Sequence, residues 1–131
     1  MLPAEHSPFR SAPLTLIGYW TGSNGDDGWP DPTEFIDEAW EEDDRTGLAL
    51  YLERGLFARA YLGYSQCRIC GVNNGTEELT DGAFIWPAGL AHYVRVHAVR
   101  LPESFAVHVA RIQELTDDLV VDDLWWRSQT H

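Results

Sequence analysis

The chain has only two cysteines, Cys67 and Cys70, three positions apart. Two histidines follow, His92 and His97, giving the spacing Cys-x2-Cys-x21-His-x4-His. Between the pairs lie two turn signals, Asn74-Gly75 and Asp81-Gly82, and a short apolar stretch over 83–86 that reads as a strand. This is the order of parts of a small zinc site: a thiolate knuckle, a hairpin, then a helix that brings imidazoles back. Zinc prefers thiolate and imidazole in a tetrahedron. Cys67, Cys70, His92 and His97 are therefore the candidate ligands of a structural Zn2+, with residues 63–97 as a zinc-knuckle core.

Gly71 follows the second cysteine directly. A knuckle turns sharply there and aims backbone N–H groups at the sulfurs, which glycine permits. In a thioredoxin-like redox motif the second cysteine lies in a helix, where a following glycine is unfavourable. A redox pair and two ordinary reduced thiols remain as alternatives. The histidine pair makes its own demand. Residues five apart on an ideal α-helix are rotated by about 140°, too far to share one ion. The pair works if the helix frays or tightens near His97. His108 is a competing fourth ligand from the next helix; its plain role is that of a core histidine bonded to a carbonyl. His6 and His131, near the ends, read as solvated.

A catalytic metal is less well supported. Four protein ligands close a tetrahedron, whereas catalysis keeps a position open for water. There is no His-Glu-x-x-His motif, and the deaminase order, with His-x-Glu ahead of the cysteines, is reversed here. Ser65 lies outside any Gly-x-Ser-x-Gly elbow. Glu77, Glu78 and Asp81 stand near His92 in sequence, so a metal-dependent hydrolase using His92, His97 and Asp81 is the alternative enzyme reading. Hairpin acids more often form turns, and Asp81 before Gly82 has that role to fill.

Charge narrows the partners. The net charge is −12, and residues 26–44 hold ten acids and no base. Residues 102–131 hold six acids against two arginines, while residues 51–100 are nearly balanced. Such a surface repels phosphate backbones, so ordinary nucleic-acid binding is disfavoured and a basic protein partner fits better. Simple solubility is the bland explanation of the same charge. All nine basic residues are arginine, which rules out Schiff-base and P-loop lysine chemistry. No apolar run is long enough to span a bilayer. No basic leader with a long apolar core opens the chain, and cysteines so spaced suit a reducing, cytoplasmic setting.

The expected fold is α+β: a small single domain with a short antiparallel sheet, the Cys-x-x-Cys hairpin and several packed helices. At 131 residues and 44% hydrophobic, the chain can fill one core. Residues 1–13 read as a flexible lead and 14–131 as the domain. A strand is expected over 14–20 and a loop over 21–28. That loop lacks the spacing of a calcium-binding EF-hand. A helix should start at Asp31 with Pro32 in its first turn, carry Phe35, Ile36, Ala39 and Trp40 on one face, and end near Arg45 after the acidic run 41–44. A second short helix over 47–55 should turn Leu48, Tyr51 and Leu52 inward, and a strand over 56–64 should lead to the cysteines. Helices are expected from Pro87 or Gly89 and from Pro102, the latter with Phe105, His108, Val109 and Ile112 on its apolar face. The tail 116–126 fits either strand or helix.

The segments GYSQCRICG and NNGTEELTDGAFIWPAGLAHYVRVHAVRLPESF resemble the shared core of a family of small uncharacterised bacterial proteins. The likeness spans about residues 14–109 and is most specific over 63–105. It marks Cys67, Cys70, Asp81, Trp86, His92 and His97 as matching positions and implies no activity. Taken together, the residues point to an acidic, zinc-binding, cytoplasmic protein that works by protein–protein contact, in the manner of an immunity or inhibitor protein against a basic target. Trp29, Trp125 and Trp126 are its candidate exposed aromatics. A metal-free binding fold with reduced core thiols is the third reading.

Overall fold

The computed structural model describes residues 12–22, 28–60 and 65–129. Most of the 1–13 lead, the centre of the 21–28 loop and the end of the strand expected over 56–64 lie outside the described residues. The architecture is α+β, as expected, and the chain forms two compact units, Met1–Leu101 and Pro102–His131.

The first unit is built on a four-stranded sheet. Its strands are β1 (Thr15–Leu16), β2 (Leu56–Ala60), β3 (Glu77–Thr80) and β4 (Phe84–Pro87), in the spatial order β1-β4-β3-β2. The pairs β2–β3 and β3–β4 are antiparallel; β1 adds a parallel edge to β4, so the sheet is mixed. The strand expected over 14–20 shrinks to two paired residues. The β3–β4 turn is the Asp81-Gly82 pair read from sequence. Asp81 Oδ1 accepts from the N–H groups of Ala83 (2.9 Å) and Phe84 (2.8 Å), which is how an Asx turn satisfies its own backbone.

Two helices complete this unit: α1 (Glu42–Glu53) and α2 (Leu90–His97), packed against each other. Here the helix expected from Asp31 to Arg45 is overturned. Asp31 does cap a turn, accepting from Thr33 N–H at 2.9 Å, but that turn is a single 3-10 turn, Pro32–Phe35. Ile36 then leaves the helical path to bridge Val99. The acidic run begins a helix rather than ending one: Glu42, Asp43 and Asp44 occupy the first turn of α1. Carboxylates there face the positive end of the helix dipole, which stabilises the observed choice. The short helix expected over 47–55 is the second half of this longer one, with Ala49 and Leu52 fully buried. Trp86, also fully buried, donates its indole N–H to Leu52 O at 3.1 Å and so satisfies a carbonyl at the α1 C-terminus.

The second unit holds α3 (Glu103–Asp117) and α4 (Leu124–Arg127). Phe105 and Val109 are its buried residues, two of the four expected on the apolar face of α3. The tail over 116–126 splits between the end of α3 and the short α4. Its side chains from Leu119 to Trp126 are exposed, Trp125 and Trp126 by 70% and 68%.

One irregularity in the sheet has a large electrostatic effect. Phe57 pairs with Leu79, and Arg59, not Ala58, pairs with Glu78. The extra residue is a β-bulge, which bends the strand and re-aims the side chain after it. Arg59 Nε thereby meets Glu78 Oε1, while Tyr19 donates its hydroxyl to Glu78 Oε2 at 2.7 Å. Glu78 is only 2% exposed. Burial alone would raise its pKa, but the bonds from Arg59 and Tyr19 outweigh burial and hold the carboxyl below its ordinary value of 4.5. A carboxylate with a depressed folded-state pKa stabilises the fold fully above the unfolded value, and that contribution is lost as pH falls through the lower folded value. Urea unfolding should therefore show the wild-type midpoint dropping more steeply below about pH 4.5 than that of Glu78→Gln. Parallel pH curves for the two proteins would contradict the assignment.

Candidate metal centre

The knuckle is a tight hairpin. Residues Gln66 and Asn73 form an antiparallel bridge. Cys67 N–H donates to Val72 O (2.9 Å), Gly71 N–H to Cys67 O (2.8 Å), and Ser65 N–H to Gly75 O (3.0 Å). Gly71 has φ +79, the left-handed geometry that glycine adopts without strain. Ile69 N–H points at Cys67 Sγ from 3.4 Å, as a knuckle requires.

Helix α2 carries the imidazoles, and two contacts lock the knuckle onto it. Tyr93 Oη accepts the backbone N–H of Arg68, the first of the two residues between the cysteines, at 2.7 Å. Asn74 Nδ2 donates to Gly89 O, at the N-terminal cap of α2, at 3.0 Å. The backbones approach so closely here that a Cβ on Gly89 would lie 2.5 Å from Asn74 O. Burial pushes the Tyr93 pKa up to about 12; the Arg68 N–H works against this and the neighbouring Cys67 sulfur adds to it. The phenol thus stays protonated beside the sulfur.

The far end of α2 solves the problem of the five-residue histidine spacing. The helix neither frays nor tightens there; it widens. Ala98 N–H donates to Tyr93 O, an i→i+5 bond, and Val99 N–H reaches the same carbonyl at 3.1 Å. A wider turn takes up part of the excess rotation of the α geometry. The rings of His92 and His97 consequently stand 5.0 Å apart, edge to face. Ala98 pays for this with a left-handed backbone, φ 54. An external strap holds it: Asp37 N–H donates to Ala98 O (3.0 Å), and Arg100 N–H to Phe35 O (2.8 Å).

Cys67, Cys70, His92 and His97 come together, with one ligand atom of each within 4.8 Å of all the others. These four can hold a metal ion. In a zinc tetrahedron with Zn–S near 2.3 Å and Zn–N near 2.0–2.1 Å, sulfur and nitrogen lie about 3.5 Å apart. Cys70 Sγ and His92 Nε2 are 3.3 Å apart. His97 Nε2 is buried and, among the described residues, has no hydrogen-bond partner, an arrangement that a metal would relieve. Burial first, and the charge of His92 second, lower the His97 pKa, which keeps its ring in the neutral form that binds metals. Both cysteines are free thiols, Cys67 buried and Cys70 exposed.

His108 is not in this group; on α3 its ring stands 6.2 Å from that of Phe105. Asp81 is also outside it. Besides the turn N–H groups, Asp81 accepts the Tyr51 hydroxyl at 2.6 Å, so it serves the β3–β4 turn and α1 rather than the four-residue group. The network of buried Glu78 with exposed Arg59 and with Tyr19 escaped sequence reading. Its one available signal is the odd placement of Glu78 between an exposed acid and the apolar Leu79. Comparison with family models, curated proteins and solved structures returns no match for this chain.

The Gly89 contact yields a direct check. Gly89→Ala forces the knuckle away from α2, so it should lower stability by about 1–3 kcal/mol in urea unfolding. It should also weaken binding of added Zn2+ or Co2+ in a spectroscopic titration. Unchanged values of both would show that this close approach does not position the ligands.

Proposed function

We propose that Cys67, Cys70, His92 and His97 bind one zinc ion as a structural centre, and that the protein acts by contact with a basic protein partner. The convergence of the four ligand atoms within 4.8 Å carries the first half. Two thiolates and two imidazoles favour zinc over harder cations. Four side chains fill a tetrahedron, which favours a structural role over a catalytic one. Free thiols three positions apart fit a reducing setting such as the cytoplasm. Among the described residues no helix is long and apolar enough to cross a membrane.

The second half rests on charge and exposed aromatics. The net charge of −12 attracts a basic surface at long range and gives fast, salt-sensitive association. Trp125 and Trp126, preceded by Asp122 and Asp123, offer the large aromatic area that anchors protein interfaces. An inhibitor or immunity protein of a basic target has these properties.

Metal analysis of protein made without a histidine tag should give about one zinc per chain. Cys67→Ser and His97→Ala should each lose it. Chelation should lower the thermal midpoint by at least about 10 °C, because binding energy at a structural zinc is folding energy. Metal-free protein that unfolds at the same temperature would overturn the zinc assignment. For the partner, full-length bait should retain a basic protein that elutes with salt. The Trp125→Ala/Trp126→Ala variant should lose it while keeping its zinc. Retention unaffected by salt and by these substitutions would overturn the interaction half.

A further inference from the structure

Beside the sheet, within the first unit, lies an open cleft of about 490 Å³ whose lining includes Tyr19, Trp20, Arg59, Arg68, Glu78 and Tyr93. That volume is in the range of small-molecule sites, about 300–1,000 Å³. Its charge is unlike that of the chain as a whole. Among the described residues, two arginines line it against a single acid, in a protein of net charge −12.

The hydrogen-bond inventory decides what such a cleft can take. Glu78 is 2% exposed, with one oxygen engaged by Arg59 Nε and the other by Tyr19 Oη. It has little left to offer a cationic ligand. Arg59 is held by its Nε edge alone, so among the described residues its two Nη groups have no partner. A guanidinium fixed on one edge by a buried carboxylate is a pre-oriented fork for a second anion. Among the described residues Arg68 makes one side-chain bond, Nη1 to Gln66 O at 3.2 Å, and its remaining side-chain N–H groups have no partner. Charged donors in the cleft thus outnumber acceptors. The rings of Tyr19, Trp20 and Tyr93, together with Pro87, provide the apolar part of the lining. Rings and guanidinium planes suit a flat ligand body.

We infer that this cleft binds a small organic anion, a carboxylate or phosphate carried on a planar ring, with Arg59 and Arg68 holding the anionic group. The cleft uses none of the four candidate metal ligands, but Arg68 lies between the cysteines and Tyr93 beside His92, so the titration is run both on zinc-loaded and on chelator-treated protein and the inference is judged on the folded form of either.

Full-length protein in each form is titrated by calorimetry with phenyl phosphate, benzoate, inorganic phosphate and benzylammonium. At least one aromatic anion should bind saturably at millimolar concentration or below, and more tightly than inorganic phosphate. Benzylammonium should not bind. Arg59→Gln should weaken the aromatic anion about tenfold or more, the scale of a lost charge-assisted bond. Because that variant also strips a cation from buried Glu78, Arg68→Gln serves as the second variant. Its side chain is exposed, so the urea midpoint should hold while affinity falls. Three results would each overturn the inference: no saturable binding by either aromatic anion, binding of benzylammonium at equal or greater affinity, or full affinity in both arginine variants. Inorganic phosphate binding as tightly as phenyl phosphate would overturn the planar-ring part of it.

Discussion

A sulfur and an imidazole 22 residues apart, Cys70 and His92, can serve one ion only if their two chain segments are already held in register. Backbone groups provide that register. The Arg68 N–H donates to the Tyr93 phenol, and the Gly89 carbonyl accepts the Asn74 amide. Each bond joins the knuckle hairpin to α2, one in the turn between the cysteines and one at the helix N-terminus. Tyr93 lies next to His92 in sequence, so a contact that orients the helix orients the ligand too. Such a centre needs little rearrangement to accept an ion, and this is how proteins keep a metal geometry well defined.

The same economy governs the other end of α2. A strictly α-helical path would turn His97 away from His92. The chain widens its last turn instead, and the 35–37 segment braces the exit by pairing with 98–100. Arg100 adds an ion pair to Asp37 at 2.8 Å and stacks over Trp40 at 5.0 Å. Left-handed Ala98 is therefore a strained residue fixed by its surroundings, and strain of that kind gathers at sites where side-chain placement matters. On β2 a bulge plays a comparable part, turning Arg59 onto Glu78. In both places a local departure from regular geometry sets a side chain that is charged or able to bind a metal.

Much of the centre was legible in the sequence because short-range rules dominate there. Cys-x-x-Cys-Gly specifies a turn, Asp-Gly a hairpin, and Trp-Pro-x-Gly a strand end followed by a helix start. All three were realised within a residue or two. What escaped depends on long-range partners. The 31–45 helix had a sound cap and a sound apolar stripe, but pairing of Ile36 with Val99 competed with it and prevailed. The acidic run 41–44 looked like a stop because, in a helix started at Asp31, it lay beyond the first turn that the dipole favours; it works as a start because the helix begins there and the dipole acts on it. No periodicity reveals a bulge, so the pairing of Glu78 with Arg59 left only the placement of Glu78 beside Leu79 as its trace in the sequence. The widened turn at Ala98 was legible only as a requirement: two histidines at this spacing demanded some distortion, without saying which.

Zinc K-edge absorption spectroscopy on the tag-free protein tests the central claim most directly. The zinc should show a coordination shell of two sulfurs near 2.3 Å and two nitrogens near 2.0–2.1 Å. A shell of oxygen and nitrogen alone, or a protein that takes up no zinc, would contradict it.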